Sequence, residues 1–321
     1  MSPAPVDYSN STALVTGGSS GIGQAIATEL VARGIARLVI VAHNREKLDK
    51  AAEELKQSAT GTSGSKLEVK TISADLASRD AAEQIKSQVE GWGWNVDILV
   101  NNAGLARKQQ FGLKGENDVS LRTVDVMVRA VIDLSLHFLP GMVERGSGGL
   151  LNVCSTACYQ PVPFTAMYAA SKAFMLSWSQ AIREENIDTG VRIAMIVPGI
   201  TETNLDGQGH GERRGALDAV GIDKPETVAK AAVDAYEENA AQKIVGWNNW
   251  AMQTALSLVP DSIKASMVAS ARGKPEDSDD IGASGRSFMV PEESLSYDFA
   301  LLTNNSLVAY RRRTEELDLA S

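Results

Sequence analysis

The stretch Ala13-Leu-Val-Thr-Gly-Gly-Ser-Ser-Gly-Ile-Gly23, running on into Gln24-Ala-Ile-Ala-Thr-Glu-Leu-Val31, decides how this chain folds. A short apolar run, Ala13 to Thr16, enters a glycine cluster. Apolar residues then recur at Ile22, Ile26, Leu30 and Val31 with helical spacing. Strand, glycine turn and helix in that order form the context a dinucleotide-binding turn requires. Gly17 is expected to allow the tight turn, Gly21 to let the backbone approach a pyrophosphate, and Gly23 to pack the helix against the strand. Unpaired N–H groups at the helix start would face the phosphates. Ser19, Ser20 and Ile22 complete the candidate cofactor-binding turn.

Outward from this turn the alternation continues for two hundred residues. Leu38 to Ala42, Leu67 to Ile72, Val96 to Val100, Leu150 to Val153 and Val191 to Val197 read as strands. Between them, Glu46 to Gln57, Ala81 to Val89, Leu121 to Val143 and Ala166 to Glu185 read as helices, with Pro140 and Gly141 expected to disturb the third near its end. Alternating strands and helices predict an α/β fold with a parallel sheet covered on both faces. After residue 203 the regularity stops. Residues 204–222 are rich in Gly and charge and read as a loop, Pro225 to Asn239 as a helix with proline in its first turn, and 272–287 as a linker. The expected division is a dinucleotide-binding and catalytic domain over 1–250 and a C-terminal extension over 251–321.

Bulk properties exclude several functions. The formal net charge is −9 and the pI about 5.0, so no basic nucleic-acid surface is expected. Two cysteines, Cys154 and Cys158, and three scattered histidines (His43, His137, His210) form neither a disulfide framework nor a metal-ligand pattern. Cys154 and Cys158 are expected to be small buried hydrophobes, and His210 an exposed loop residue. The N-terminus lacks the basic and apolar regions of a secretory signal, and no stretch reads as the ~18 apolar residues of a membrane-spanning helix. A cytoplasmic location is the resulting expectation.

The end of the second strand bears on the cofactor. A carboxylate there would bind a ribose 2′-OH and repel a 2′-phosphate. The strand instead ends in Ala42, and His43, Asn44 and Arg45 follow it. NADP(H) is therefore expected over NAD(H). A second constellation is Ser155, Tyr168 and Lys172. Tyr168 and Lys172 stand four apart in a helical segment and share one face. A lysine ammonium beside a phenol favours the phenolate, which suits general acid/base work. Ser155, at the end of a strand, can donate a hydrogen bond to an oxygen that gains negative charge.

TGGSSGIG (Thr16 to Gly23), NNAG (Asn101 to Gly104), Ser155 before YAASK (Tyr168 to Lys172) and VPGITET (Val197 to Thr203) occur in that order. In this the chain resembles the short-chain dehydrogenase/reductase family over about residues 10–250. The region 225–270 is similar to a ketoreductase-like branch in its pattern of helices. The resemblance implies a Rossmann-type doubly wound sheet of about seven parallel strands and oligomers built by helix pairing, a dimer or a tetramer. It implies that Asp75 and Leu76 lie at the adenine, with Asp75 binding its amine. Asn101, Asn102, Ala103 and Gly104 would lie against the adenine ribose. Lys172 would also hold the nicotinamide ribose, while Pro198, Ile200 and Thr203 cradle the carboxamide. The family usually has an asparagine where this chain has Met127, 41 residues before Tyr168. That asparagine is implied to support a water linking the lysine to solvent.

The activity expected from all this is interconversion of a ketone and a secondary alcohol. Tyr168 would be the acid/base, and the substrate mostly apolar because Ala157 to Met167 carries little charge. The alternatives are a cofactor-binding protein with little turnover, which Met127 would explain, and a redox-silent isomerase or lyase. Trp247, Trp250 and Met252 are expected to pack on the sheet edge or across a dimer, rather than to form a lid or a membrane-surface helix.

Overall fold

In the computed structural model, which describes residues 5–59, 67–112, 117–202, 222–257 and 259–272, seven parallel strands form one sheet in the order β3-β2-β1-β4-β5-β6-β7. They are β1 (Thr12–Thr16), β2 (Arg37–Ala42), β3 (Glu68–Ser73), β4 (Ile98–Asn101), β5 (Gly149–Val153), β6 (Arg192–Val197) and β7 (Lys243–Ile244). The Rossmann-type α/β expectation is met. β1, β4, β5 and β6 are buried along their whole length, which is why they read as continuous apolar runs rather than alternating ones. β7 has only two residues and carries no run long enough to read.

Helices cover both faces. On one, α1 (Gly21–Ala32), α2 (Arg45–Ala59) and α7 (Pro225–Glu237) bury Ile26, Leu30, Leu48, Leu55, Val228 and Tyr236 in one core. On the other, α3 (Ala81–Gly91), α4 (Asn117–Val124), α5 (Ala130–Arg145) and α6 (Ala166–Glu185) enclose a second. Its members include Ile85, Val89, Met127, Leu134, Phe138 and Met142. Burying Leu- or Ile-sized side chains contributes about 1.5–3 kcal/mol each, so the two cores hold the sheet and its strand ends rigid.

The long helix expected over Leu121 to Val143 is present, and the disturbance expected at Pro140 is corrected. α4 and α5 are one continuous helix joined by a π turn, Asp125–Arg129, and Pro140 does not break it before Arg145. Leu136 and Pro140 both face solvent, so the carbonyl that proline leaves unpaired can be hydrated. This helix, Val119–Arg145, is also long and apolar enough by length and composition to cross a membrane, contrary to the reading of the sequence. Its apolar residues supply much of the second core.

Of the two packings expected for the Trp247 region, the one on the sheet edge is not met by its tryptophans. α8 (Trp247–Leu256) turns Asn249 and Gln253 inward, leaving Trp247 78% and Trp250 59% exposed. The reason is polar. Asn249 Nδ2 donates to the Val245 carbonyl at 2.8 Å and to Asp223 Oδ2 at 3.3 Å, and its amide lies against Gly199, where any Cβ would strike it. α9 (Asp261–Arg272) ends the described chain. Thr203, His210 and the segments 204–221 and 273–321 lie outside the described residues.

Candidate active site

The strand order reverses between β1 and β4, and crevices at the carboxyl ends of strands form at such a switch. The turn after β1 and the NNAG segment after β4 therefore meet there. Asn102 joins them: its Nδ2 donates to the Thr16 carbonyl at 2.8 Å, and its N–H donates to Thr16 Oγ1 at 3.0 Å. Gly17 has φ +66°, a left-handed conformation open mainly to glycine. A Cβ on Gly23 would come within 2.3 Å of both the Gly17 carbonyl and Asn102 Nδ2. The turn thus needs its glycines partly because Asn102 braces it, a contact across 86 residues that no local reading supplies.

Asn101 is placed differently from its neighbour. Its side chain is buried and donates from Nδ2 to Asn152 Oδ1 at 2.9 Å, and Asn152 Nδ2 in turn donates to Ser179 Oγ at 2.9 Å. This polar thread ties β4, β5 and α6 beneath the crevice, and the sequence reading missed Asn152 and Ser179.

At the N-terminus of α1, Ser20 is the residue before the first turn and makes no side-chain cap. The first N–H groups of the helix are thus left for an anionic ligand. His43, Asn44 and Arg45 lie exposed just beyond β2, and Asp75 just beyond β3. Asp75 receives both terminal nitrogens of Arg122, at 2.8 and 3.0 Å, and the Ala77 N–H at 3.0 Å. Burial opposes its ionisation, but the Arg122 fork, the Ala77 N–H and the charge of His43 together hold the carboxyl below its ordinary value. Leu76 is buried beside it. These groups fit the adenosine and phosphates of a dinucleotide: a glycine cradle, free helix N–H groups and an acceptor for an amine.

Ser155, Tyr168 and Lys172 converge at the end of β5. Lys172, buried on the inner face of α6, donates from Nζ to the Val153 carbonyl at 2.7 Å, and its Nζ lies 5.8 Å from the Tyr168 ring centroid. Burial is the main cause holding the Lys172 amine below the usual lysine value; the neighbouring thiols Cys154 and Cys158 act in the opposite sense. Both cysteines are free and buried, as expected, and Cys154 Sγ contacts the Lys172 carbonyl at 3.4 Å. Ser155 Oγ accepts from the Ala157 N–H at 3.2 Å, which leaves its own hydrogen to donate elsewhere. Pro198 closes the floor, its carbonyl accepting from the Thr156 N–H at 3.0 Å. The Ile200 carbonyl accepts from the Asp223 N–H at 2.9 Å, and the Glu202 N–H donates to the Asp223 carbonyl at 3.0 Å.

Tyr168 borders a cavity of about 250 Å³ whose walls include Phe111, Val119, Pro163, Phe164 and Met167. The Gln109 N–H donates to the Phe164 carbonyl at 2.7 Å, and Phe164 holds φ +65°. A bulky residue in that region is strained, and here one loop-to-loop bond holds it. Gln109 and Phe164 were not singled out in the sequence; nothing local marks them. Met127 is fully buried in the π turn, and a Cβ built on Gly104 would lie 3.6 Å from its Cε.

Comparisons with known proteins agree with this arrangement. The short chain dehydrogenase family model matches residues 11–213. The chain is 32% identical over 224 residues to the very-long-chain 3-oxoacyl-CoA reductase of Homo sapiens, covering 69% of this chain and 67% of that one. It is 33% identical over 196 residues to the Bos taurus protein of the same name, spanning 60% of either chain. It is 35% identical over 199 residues to 17-beta-hydroxysteroid dehydrogenase type 3 of Danio rerio, covering 61% of this chain and 62% of that one. Among solved structures, a 7beta-hydroxysteroid dehydrogenase superposes with TM-score 0.71 at 22% identity, covering 81% of this chain and 96% of that one, a likeness of fold. An alcohol dehydrogenase from Thermococcus sibiricus complexed with 5-hydroxy-NADP superposes with TM-score 0.62 at 25% identity, covering 73% and 95%. Since the family model takes in well over half of the chain and its motifs meet at one crevice, this protein belongs to the short-chain dehydrogenase/reductase family.

Proposed function

We propose that this chain is an NADP(H)-dependent oxidoreductase that interconverts a ketone and a secondary alcohol. One observation carries the reading: the Val153 carbonyl at the end of β5 holds Lys172 Nζ 5.8 Å from the ring centroid of Tyr168, which borders a cavity, and Ser155 follows that same strand end. The nicotinamide cofactor, when bound, supplies or accepts the hydride. Ser155 donates its hydroxyl hydrogen to the substrate oxygen, steadying the negative charge that grows there. Tyr168 delivers the proton in the reductive direction and removes it in the oxidative one. The Lys172 ammonium steadies the Tyr168 oxygen while it is without its proton. The Val153 carbonyl fixes the amine in place, so the charge needs no reorganisation during the step.

Ala42, with no carboxylate at the end of β2, and the potential cations His43 and Arg45 support NADP(H). Phe111, Val119, Pro163, Phe164 and Met167 in the cavity wall support an apolar substrate portion and Arg107, Gln109 and Gln110 a polar one, in keeping with relatives named for a very-long-chain 3-oxoacyl-CoA and a hydroxysteroid. A dimer or tetramer belongs to the same reading, with exposed Leu136 on α5 and the stacked pair Phe174 and Trp178 on α6 as contact residues. The second reading, a cofactor binder with little turnover, is favoured only by Met127. A panel of acyl, steroid and simple ketones with NADPH and NADH, followed by loss of nucleotide absorbance, tests the two. Turnover is expected with NADPH, and Tyr168→Phe should lower it by ~10²-fold or more while NADPH still binds. Nucleotide binding without oxidation by any carbonyl compound would establish the binder instead.

A further inference from the structure

The adenosine end of the crevice holds an arginine that the sequence reading did not single out. β2 and β3 end side by side: Ala42 pairs with Ser73, the Ala74 N–H donates to the Ala42 carbonyl at 3.1 Å, and Ser73 Oγ donates to the His43 carbonyl at 3.1 Å. Asp75, two residues past β3, therefore stands beside the tip of β2. That tip is where a ribose 2′-substituent is sorted, because a carboxylate there repels a 2′-phosphate. Ala42 removes one such carboxylate from β2; Asp75 brings another from the next strand.

Arg122, on α4, takes Asp75 in a two-pronged ion pair, NH2 to Oδ1 at 2.8 Å and NH1 to Oδ2 at 3.0 Å. Arg129, seven residues on, has a different task. It donates to the Ala77 and Ser78 carbonyls, and its charge is already answered by Asp125 and Asp133. Among the described residues Arg122 has no ion pair other than the one with Asp75. Among the described residues Oδ1 already accepts from the Ala77 N–H and from Arg122, whereas Oδ2 accepts from Arg122 alone and keeps a lone pair for an amine.

Building on the NADP(H) reading, we propose that Arg122 is a cofactor-specificity residue. It neutralises Asp75, so that a 2′-phosphate at the tip of β2 meets less negative charge from the next strand, while leaving Asp75 able to accept from an adenine amine. Arg122 is 44% and Asp75 37% exposed, so water and salt screen the pair and the effect is moderate.

The test is the ratio of NADPH to NADH affinity, measured without substrate by titrating nicotinamide fluorescence, in wild type and in Arg122→Gln. Removing the charge exposes the 2′-phosphate to an unscreened carboxylate. NADPH binding should weaken about tenfold and NADH binding less than about threefold. Arg122→Lys, which keeps a charge without the fork, should hold the ratio within about threefold of wild type. Asp75→Asn in the Arg122→Gln background should bring the ratio back towards wild type, since no carboxylate is left to screen. An equal loss for both nucleotides in Arg122→Gln, or no recovery in the double variant, overturns the proposal. The ratio change is read whichever nucleotide the wild type prefers. A wild-type preference for NADH would therefore count against the NADP(H) reading alone.

Discussion

Replacing Met127 by asparagine restores the residue usual in the family, and the structure sets what that change should cost. Met127 has no exposed surface and packs in the core with Val126, Ala130 and Leu134, beneath Gly104. Truncating a buried methionine to alanine typically costs about 2–5 kcal/mol. Asparagine refills part of that space but brings an amide, and a buried amide left without a partner costs about 1–3 kcal/mol. A net loss of about 3–5 kcal/mol follows, or roughly 6–20 °C in Tm for a domain of this size. Met127→Leu, which conserves volume and adds no polar atom, should lose less than about 1.5 kcal/mol. Urea unfolding followed by tryptophan fluorescence measures both, provided the slope stays constant. Turnover is a separate expectation. In folded Met127→Asn it should equal or exceed wild type, because Ser155, Tyr168 and Lys172 are untouched and any relay through the asparagine is gained. Wild-type stability in Met127→Asn would refute the packing argument, for it would mean polar partners already line that spot. Turnover below a tenth of wild type in the folded variant would refute the relay argument.

Two further expectations concern the site. Ala42→Asp should reverse the nucleotide preference, by adding repulsion to a 2′-phosphate and a partner for the 2′-OH; unchanged NADPH and NADH dissociation constants would sink the argument from β2. Turnover should fall on the alkaline side with a midpoint below the ordinary lysine value of about 10.4, as burial lets the Lys172 ammonium lose its proton early. The folded state then binds fewer protons than the unfolded chain between the lowered value and about 10.4. Wild-type stability should therefore rise with pH across that window relative to Lys172→Met. The reverse slope in paired unfolding curves would contradict a depressed lysine.

The chemistry was legible because it is written locally. A glycine turn between strand and helix, a carboxylate missing from the end of β2, and Tyr168 and Lys172 one helical turn apart each depend on residues close in sequence. The buried strands β1, β4, β5 and β6 were legible for a related reason, since a strand covered on both faces must be apolar throughout. What tertiary structure alone decided lies in contacts between distant residues. Asn102 adds to the need for Gly17 and Gly23, Arg122 takes Asp75 across 47 residues, and Gln109 locks Phe164 beside Tyr168. β7 has two residues and exists by pairing with β6, and Pro140 is tolerated because its helix turns that side to water. α8 buries Asn249 and exposes its tryptophans, because the polar groups around Gly199 and Asp223 were there to be satisfied. Periodicity and propensity are properties of a few neighbouring residues. Hydrogen-bond satisfaction and charge compensation are settled only when remote segments meet, and there this sequence deferred to its fold.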